Sequence, residues 1–274
     1  MDVSKAITTF LTPQMKPGDT YNEEGLLICG VCNEPKQFIG DLYTGGKVKV
    51  NCPCRCDREE DERFRAQMKA QQTQRNRVSA FPTNSEYIQA TFDRAETTPA
   101  IERSKKYVDN FEQLGLKDGY GIIYYGHCGT GKSYAAACVV NAVIDKGFTA
   151  LYTSIPRIIN KMQATWEGKD EYLNELCKVD LLVIDDLTAE RQTEYAKEIV
   201  YEVIDGRYNT GKPMIISTNL SREQIRDSDS ADIATARILS RILQNCVPIE
   251  VTGQDRRKEA ARVNYNRAKE KMNL

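Results

Sequence analysis

Eight consecutive residues, Gly126, His127, Cys128, Gly129, Thr130, Gly131, Lys132 and Ser133, constrain this chain more than any other segment. They follow the spacing G-x-x-x-x-G-K-[ST], and their context is a short apolar run, Gly121-Ile122-Ile123-Tyr124-Tyr125, before them and an Ala- and Val-rich helical pattern after. Glycines at these positions let the backbone turn tightly, so that successive N–H groups converge on an anion at a helix N-terminus. Lys132 is then placed to reach terminal phosphates and Ser133 to put a hydroxyl on Mg²⁺. The segment predicts a nucleoside triphosphate site built on a strand–loop–helix unit.

Around that unit, strand patterns are expected at 122–125, 150–153, 181–185, 214–218 and 247–251, and helices at 134–146, 156–165, 171–178, 194–208 and 231–244. The strands are apolar throughout rather than alternating, as parallel strands covered on both faces are. Strand–helix alternation at this spacing predicts a doubly wound α/β sheet. The segment Leu181-Leu182-Val183-Ile184-Asp185-Asp186 ends a buried strand in two acids, which sets Asp185 beside bound phosphates to hold Mg²⁺ and Asp186 to orient or deprotonate water. Ile215-Ile216-Ser217-Thr218-Asn219 ends in an amide able to touch a γ-phosphate or to cap a turn. Arg237 and Arg241 stand four apart, on one helix face.

Five of the nine cysteines crowd between Cys29 and Cys56. Cys29-x-x-Cys32, nineteen residues, then Cys52-Pro53-Cys54-Arg55-Cys56 is the pattern of a structural Zn²⁺ site, in which thiolates occupy all four tetrahedral positions. Cys29 and Cys32 are expected ligands, with two of Cys52, Cys54 and Cys56; the pattern leaves the spare one open. Residues 57–78 turn abruptly charged, with Glu59–Arg63 and Asp61–Arg65 pairs in the favoured helical orientation. The expected organisation is a zinc-binding domain over 1–56, a charged helical linker over 57–89 and an ATPase domain over 90–274. No apolar run of about 18 residues suits a membrane span, and the start, Met1-Asp2-Val3-Ser4-Lys5-Ala6, lacks a secretory pattern, so a cytoplasmic protein with reduced cysteines is expected. A net charge of −1 excludes a globally basic nucleic-acid coat but not local basic patches.

The stretch from about Ala90 to Arg257 resembles the AAA+ ATPase domain of bacterial helicase loaders, the DnaC/DnaI-like family, with the insertion-sequence helper IstB as a relative. The resemblance lies in Ala90-Thr91-Phe92-Asp93, the loop ending at Ser133, Leu181 to Leu187, Glu190 to Tyr195, Ile204 to Tyr208, Ser217 to Leu220 and Arg237 to Ile242. Members from Gram-positive bacteria and their phages also resemble the N-terminal part, with a Cys-x-x-Cys and a Cys-x-Cys cluster before a charged helix. The resemblance implies an AAA+ core that binds ATP and Mg²⁺, with Asp185 and Asp186 as the Walker B acids and Asn219 as the first sensor. It implies Arg241, with Arg237 as the fallback, as an arginine finger entering a neighbouring subunit, and Arg256 or Arg257 as a second sensor. The implied function is an ATP-dependent loader that self-associates, binds the hexameric replicative helicase and delivers it to single-stranded DNA, hydrolysing ATP slowly. A transposition helper of the IstB kind is the alternative. Only 23 residues follow Val251, so no full helical lid is expected. Arg157, Lys161 and Arg207 are candidate DNA contacts; no alternation of aromatic and basic residues marks a stacking platform.

Overall fold

A computed structural model describes residues 15–42, 45–164, 168–187, 193–226 and 233–272. Residues 1–6 read above for a signal, residues 190–192 of the family-like segment, and the outer ends of the expected helices 156–165 and 231–244 lie outside those residues. The chain divides into two compact units, Met1–Gln72 and Thr73–Leu274.

The first unit is built from two small antiparallel hairpins. Strands β1 (Thr20–Tyr21) and β2 (Leu27–Ile28) form one. Strands β3 (Gln37–Asp41) and β4 (Lys47–Asn51) form the other, in register from Gln37 opposite Asn51 to Asp41 opposite Lys47. Few apolar side chains are buried here, Leu26 and Leu27 among them, so polar and thiol groups must supply the order. Asp19 is one such group: its carboxylate accepts from the backbone N–H of Lys16 (2.8 Å) and Gly30 (3.0 Å) and from Lys36 Nζ (3.1 Å). Those bonds, with the two backbone N–H groups foremost, hold its pKa down at about 2. Helix α1 (Arg55–Ala80) follows, charged over most of its length, and carries the chain across the boundary between the units.

The second unit is a five-stranded parallel sheet in the order β6-β7-β8-β5-β9, with β5 (Gly121–Tyr125), β6 (Ala150–Ser154), β7 (Leu181–Asp185), β8 (Met214–Ser217) and β9 (Cys246–Glu250). Strand side chains alternate between two cores. Ile122, Tyr124, Leu181, Val183 and Ile215 join the core formed with α2 (Pro99–Asp109) and α3 (Lys132–Asp145). Ile123, Tyr125, Leu182, Ile184, Met214 and Ile216 join the opposite core. That core includes α4 (Ile155–Ala164), α5 (Lys169–Lys178), α6 (Glu194–Asn209), α7 (Arg222–Arg226) and α8 (Ile233–Asn245). Period-2 projection into two covered layers is what makes each strand read as an unbroken apolar run. Helix α9 (Arg256–Met272) follows β9. Among the described residues, no helix is long and apolar enough to cross a membrane.

Arg207, a candidate DNA contact by sequence, is instead fully buried on α6. Its guanidinium donates to the carbonyls of Val179 (2.7 Å), Cys177 (3.1 Å), Leu176 (3.3 Å), Asp180 (3.5 Å) and Pro213. It thereby satisfies the end of α5 and ties the entries of β7 and β8 together, while burial pushes its pKa down to about 10. Replacing Arg207 with Met is expected to lower unfolding free energy by roughly 3 kcal/mol, because several buried carbonyls lose their donor at once. Urea denaturation followed by circular dichroism checks this; an unchanged midpoint contradicts it.

Candidate functional site

The phosphate loop runs from the end of β5 into the first turn of α3. Gly126 (φ 129°), Gly129 (φ 77°) and Gly131 (φ 102°) all occupy backbone regions closed to most side chains. At Gly129 a Cβ would also stand 1.8 Å from Asp255 Oδ1, so this glycine is required by space as well as by conformation. Lys132, only 7% exposed, donates to the carbonyls of Gly126 (2.8 Å) and His127 (2.7 Å), which pins its ammonium over the loop. Burial lowers its pKa, while the charges of Cys128 and Asp186 act in the opposite direction. Thr130 Oγ1 donates to the His127 carbonyl (2.9 Å) and closes the turn.

Opposite the loop lie the ends of β7 and β8. Ser133 Oγ donates to Asp185 Oδ1 at 2.8 Å, so a hydroxyl and a carboxylate oxygen already converge. Two hard oxygen donors beside a phosphate cradle fit Mg²⁺, which takes one or two protein oxygens and completes its shell with phosphate and water. Ser217 Oγ donates to the same carboxylate and accepts from the Asp186 backbone N–H (2.9 Å). Asp186 itself sits at φ 57°, an uncommon conformation for a non-glycine residue, and Asn219 Nδ2 donates to its Oδ1 at 3.2 Å. The result is a cleft of about 450 Å³ that brings together Lys132, Ser133, Asp185, Asp186 and Asn219.

Tyr87, Ser217, Arg256 and Arg257 also line this cleft. Ser217 belongs to the family-like segment Ser217 to Leu220, but the sequence assigns it no role; what points to one is its place beside Asp185, given the pairing of Ile184 with Ile216 one residue earlier. Arg256 donates through its backbone N–H to the Gly129 carbonyl (3.0 Å) and through its side chain to Glu96 (2.8 Å).

Arg241 lies between α8 and α6. It ion-pairs with Asp205, donates to Tyr201 Oη (2.9 Å) and stands 5.1 Å and 5.2 Å from the ring centres of Tyr201 and Tyr208. Arg237 lines a separate hollow with Glu194, Glu198 and Tyr201. Neither arginine is among the residues that line the nucleotide cleft. Lys161 is engaged by Glu175 (3.2 Å) and sits over the Tyr172 ring (4.0 Å), whereas Arg157 is exposed.

In the first unit the thiols of Cys29, Cys32, Cys54 and Cys56 lie within 4.8 Å of one another. Cys52 is outside the group; its thiol points to the Pro35 carbonyl at 3.6 Å. The two knuckles come from the turn after β2 and from the start of α1, where the helix N-terminus favours thiolate. The backbone N–H groups of Cys56 and Glu34 hold the Cys32 thiol down at about 6. Burial pushes Cys54 up to about 12, and the hydrogen bond to Cys32 pushes Cys56 up to about 11. Four such thiols ionise together only with a cation among them, and an all-sulfur tetrahedral set suits Zn²⁺.

A parallel sheet in this order, with a phosphate loop after β5 and paired acids at the end of β7, two strands away across β8, defines an AAA+ P-loop ATPase fold. More narrowly, the chain belongs to the IstB-like ATP-binding protein family, whose model matches residues 57–263. It is 21% identical over 251 residues to the replicative helicase loader DnaI of Bacillus subtilis, covering 84% of this chain and 78% of that protein. It is 30% identical over 132 residues to the replicative helicase loader DnaC of Escherichia coli, covering 46% of this chain and 51% of that one, so it spans about half of DnaC's length. Among solved structures, the DnaC helicase loader aligns with a TM-score of 0.53 at 25% identity, over 61% of this chain and 99% of the other. A crystal structure of DnaI aligns with a TM-score of 0.55 at 23% identity, over 66% and 99%, a likeness of fold.

Proposed function

We propose that this protein is an ATP-controlled loader of a replicative DNA helicase. The observation that carries the reading is the extent of the likeness to DnaI: it covers 84% of this chain, more than the ATPase unit from Thr73 to Leu274 spans, and so reaches into the cysteine-bearing unit. In this reading the zinc-bearing unit and α1 grip the hexameric helicase. The ATPase unit self-associates, binds ATP and engages single-stranded DNA.

Lys132 and the loop N–H groups hold the β- and γ-phosphates, and Ser133 and Asp185 hold Mg²⁺, which neutralises phosphate charge when bound. Ser217 fixes the rotamer of Asp185 and, through the Asp186 N–H, the backbone of its neighbour. Asn219 orients the Asp186 carboxylate toward the attacking water, while Arg241, with Arg237 as the alternative, completes the site of a neighbouring subunit. Asp186 is one methylene shorter than the glutamate common in AAA+ proteins, so hydrolysis is slow and ATP serves chiefly as a switch. Isolated protein is therefore expected to turn over ATP well below the roughly 10 s⁻¹ typical of enzymes; rapid turnover without DNA or helicase contradicts the switch.

A transposition helper of the IstB kind is the second reading, and the clustered thiols of the first unit favour the loader over it. Affinity capture separates them: retention of a hexameric replicative helicase supports the loader, and retention of a transposase instead overturns it.

A further inference from the structure

We propose that helix α9 is a single-stranded nucleic-acid arm rooted in the nucleotide site. The inference rests on the loader reading and assigns its DNA contact to a particular surface. Against a whole-chain charge of −1, α9 alone carries seven Lys or Arg and two Glu in seventeen residues. From Ala261 to Met272 every residue is exposed, and Tyr265 is 67% exposed. Among its described side chains α9 buries no apolar stripe, and so much like charge on one helix carries a self-repulsion that a bound polyanion relieves.

The charges are also ordered. Lys258, Arg262, Tyr265 and Lys269 follow one another at i, i+4, i+7 and i+11, which places them along one helix face about 16 Å long. An exposed ring between cations is the arrangement that stacks an unpaired base while neighbouring phosphates are neutralised. A membrane surface is disfavoured because that ridge offers no apolar stripe to insert. The alternation absent from the linear sequence is thus created by the helical period.

The root of α9 explains how such an arm would respond to ATP. Asp255 caps the helix by accepting from the Arg257 N–H (3.0 Å) and lies against Gly129, and the Arg256 N–H donates to the Gly129 carbonyl. Arg256 and Arg257 line the nucleotide cleft. The first turn of α9 is therefore part of the phosphate site, and the remaining turns project the basic ridge.

Anisotropy of a fluorescein-labelled oligo-dT, with the full-length protein, tests the assignment. Tyr265→Ala is expected to weaken single-strand binding about fivefold or more, with little effect on a duplex of equal length. Arg262→Gln combined with Lys269→Gln is expected to weaken it about tenfold near 0.1 M salt and to reduce the log–log salt slope by about 1.4, roughly 0.7 for each phosphate no longer neutralised. These exposed positions leave ATP binding and thermal melting unchanged, which controls for folding. Wild-type and variant proteins binding the oligonucleotide equally overturns the arm and leaves the loader reading intact. Equal weakening for single strand and duplex overturns the stacking role, and no binding by the wild type removes both readings.

Discussion

Lys132→Ala is expected to lose ATP affinity about 100-fold. Lys132 is 7% exposed, and its ammonium is pinned over the loop by the Gly126 and His127 carbonyls. A charge-assisted contact to phosphate in a partly buried cleft contributes on the order of 3 kcal/mol, and each 1.4 kcal/mol is a factor of ten. Titration of a fluorescent ATP analogue measures the loss, with melting temperature as the folding control. Asp185→Asn should separate from it: nucleotide still binds through the loop N–H groups, but the Mg²⁺ dependence of affinity weakens, because the carboxylate facing Ser133 loses its charge. Equal ATP affinity in wild type and Lys132→Ala contradicts the placement of the phosphates.

In the zinc reading of the four thiols, chelation of the metal is expected to unfold the first unit and leave the ATPase unit folded. Its buried apolar residues are few, and structural zinc sites contribute roughly 10–16 kcal/mol of apparent binding free energy that is also folding free energy. Cys54→Ser and Cys29→Ser should abolish zinc retention, since each removes a thiol from the group of four. Cys52→Ser should retain one zinc per chain, because its thiol faces the Pro35 carbonyl instead. Metal analysis of the purified variants, with ATP binding as the measure of the second unit, checks both. A Cys52→Ser protein without zinc contradicts the ligand assignment.

Much of this architecture is legible along the chain because its cause is local. The apolar runs at β5, β7 and β8 follow from burial on two faces, and the phosphate loop follows from backbone turns that need glycine. What the sequence leaves open depends on long-range approach. Cys52, Cys54 and Cys56 are equivalent by spacing, and only the β3–β4 register with the start of α1 turns Cys52 away. Arg207 reads as a surface cation, yet it follows Val203 and Ile204 at helical spacing on the buried face of α6, where five carbonyls accept from it. Ser217 is inconspicuous until β8 sets it beside Asp185. By sequence Arg241 is one of two arginines on one helix face, and its pairing with Asp205, Tyr201 and Tyr208 of α6 depends on long-range approach.

The nucleotide cleft and the thiol cluster lie in different units of one chain, joined by the continuous helix α1. In the loader reading the second unit is the switch and the first is the grip. Mass photometry of the protein mixed with the hexameric replicative helicase of its host, with and without Mg-ATP, tests this most directly. The predicted result is a defined complex whose stoichiometry changes with ATP for the wild type and does not change for Lys132→Ala. The same stoichiometry in both conditions for the wild type, or no complex in either, contradicts the loader reading.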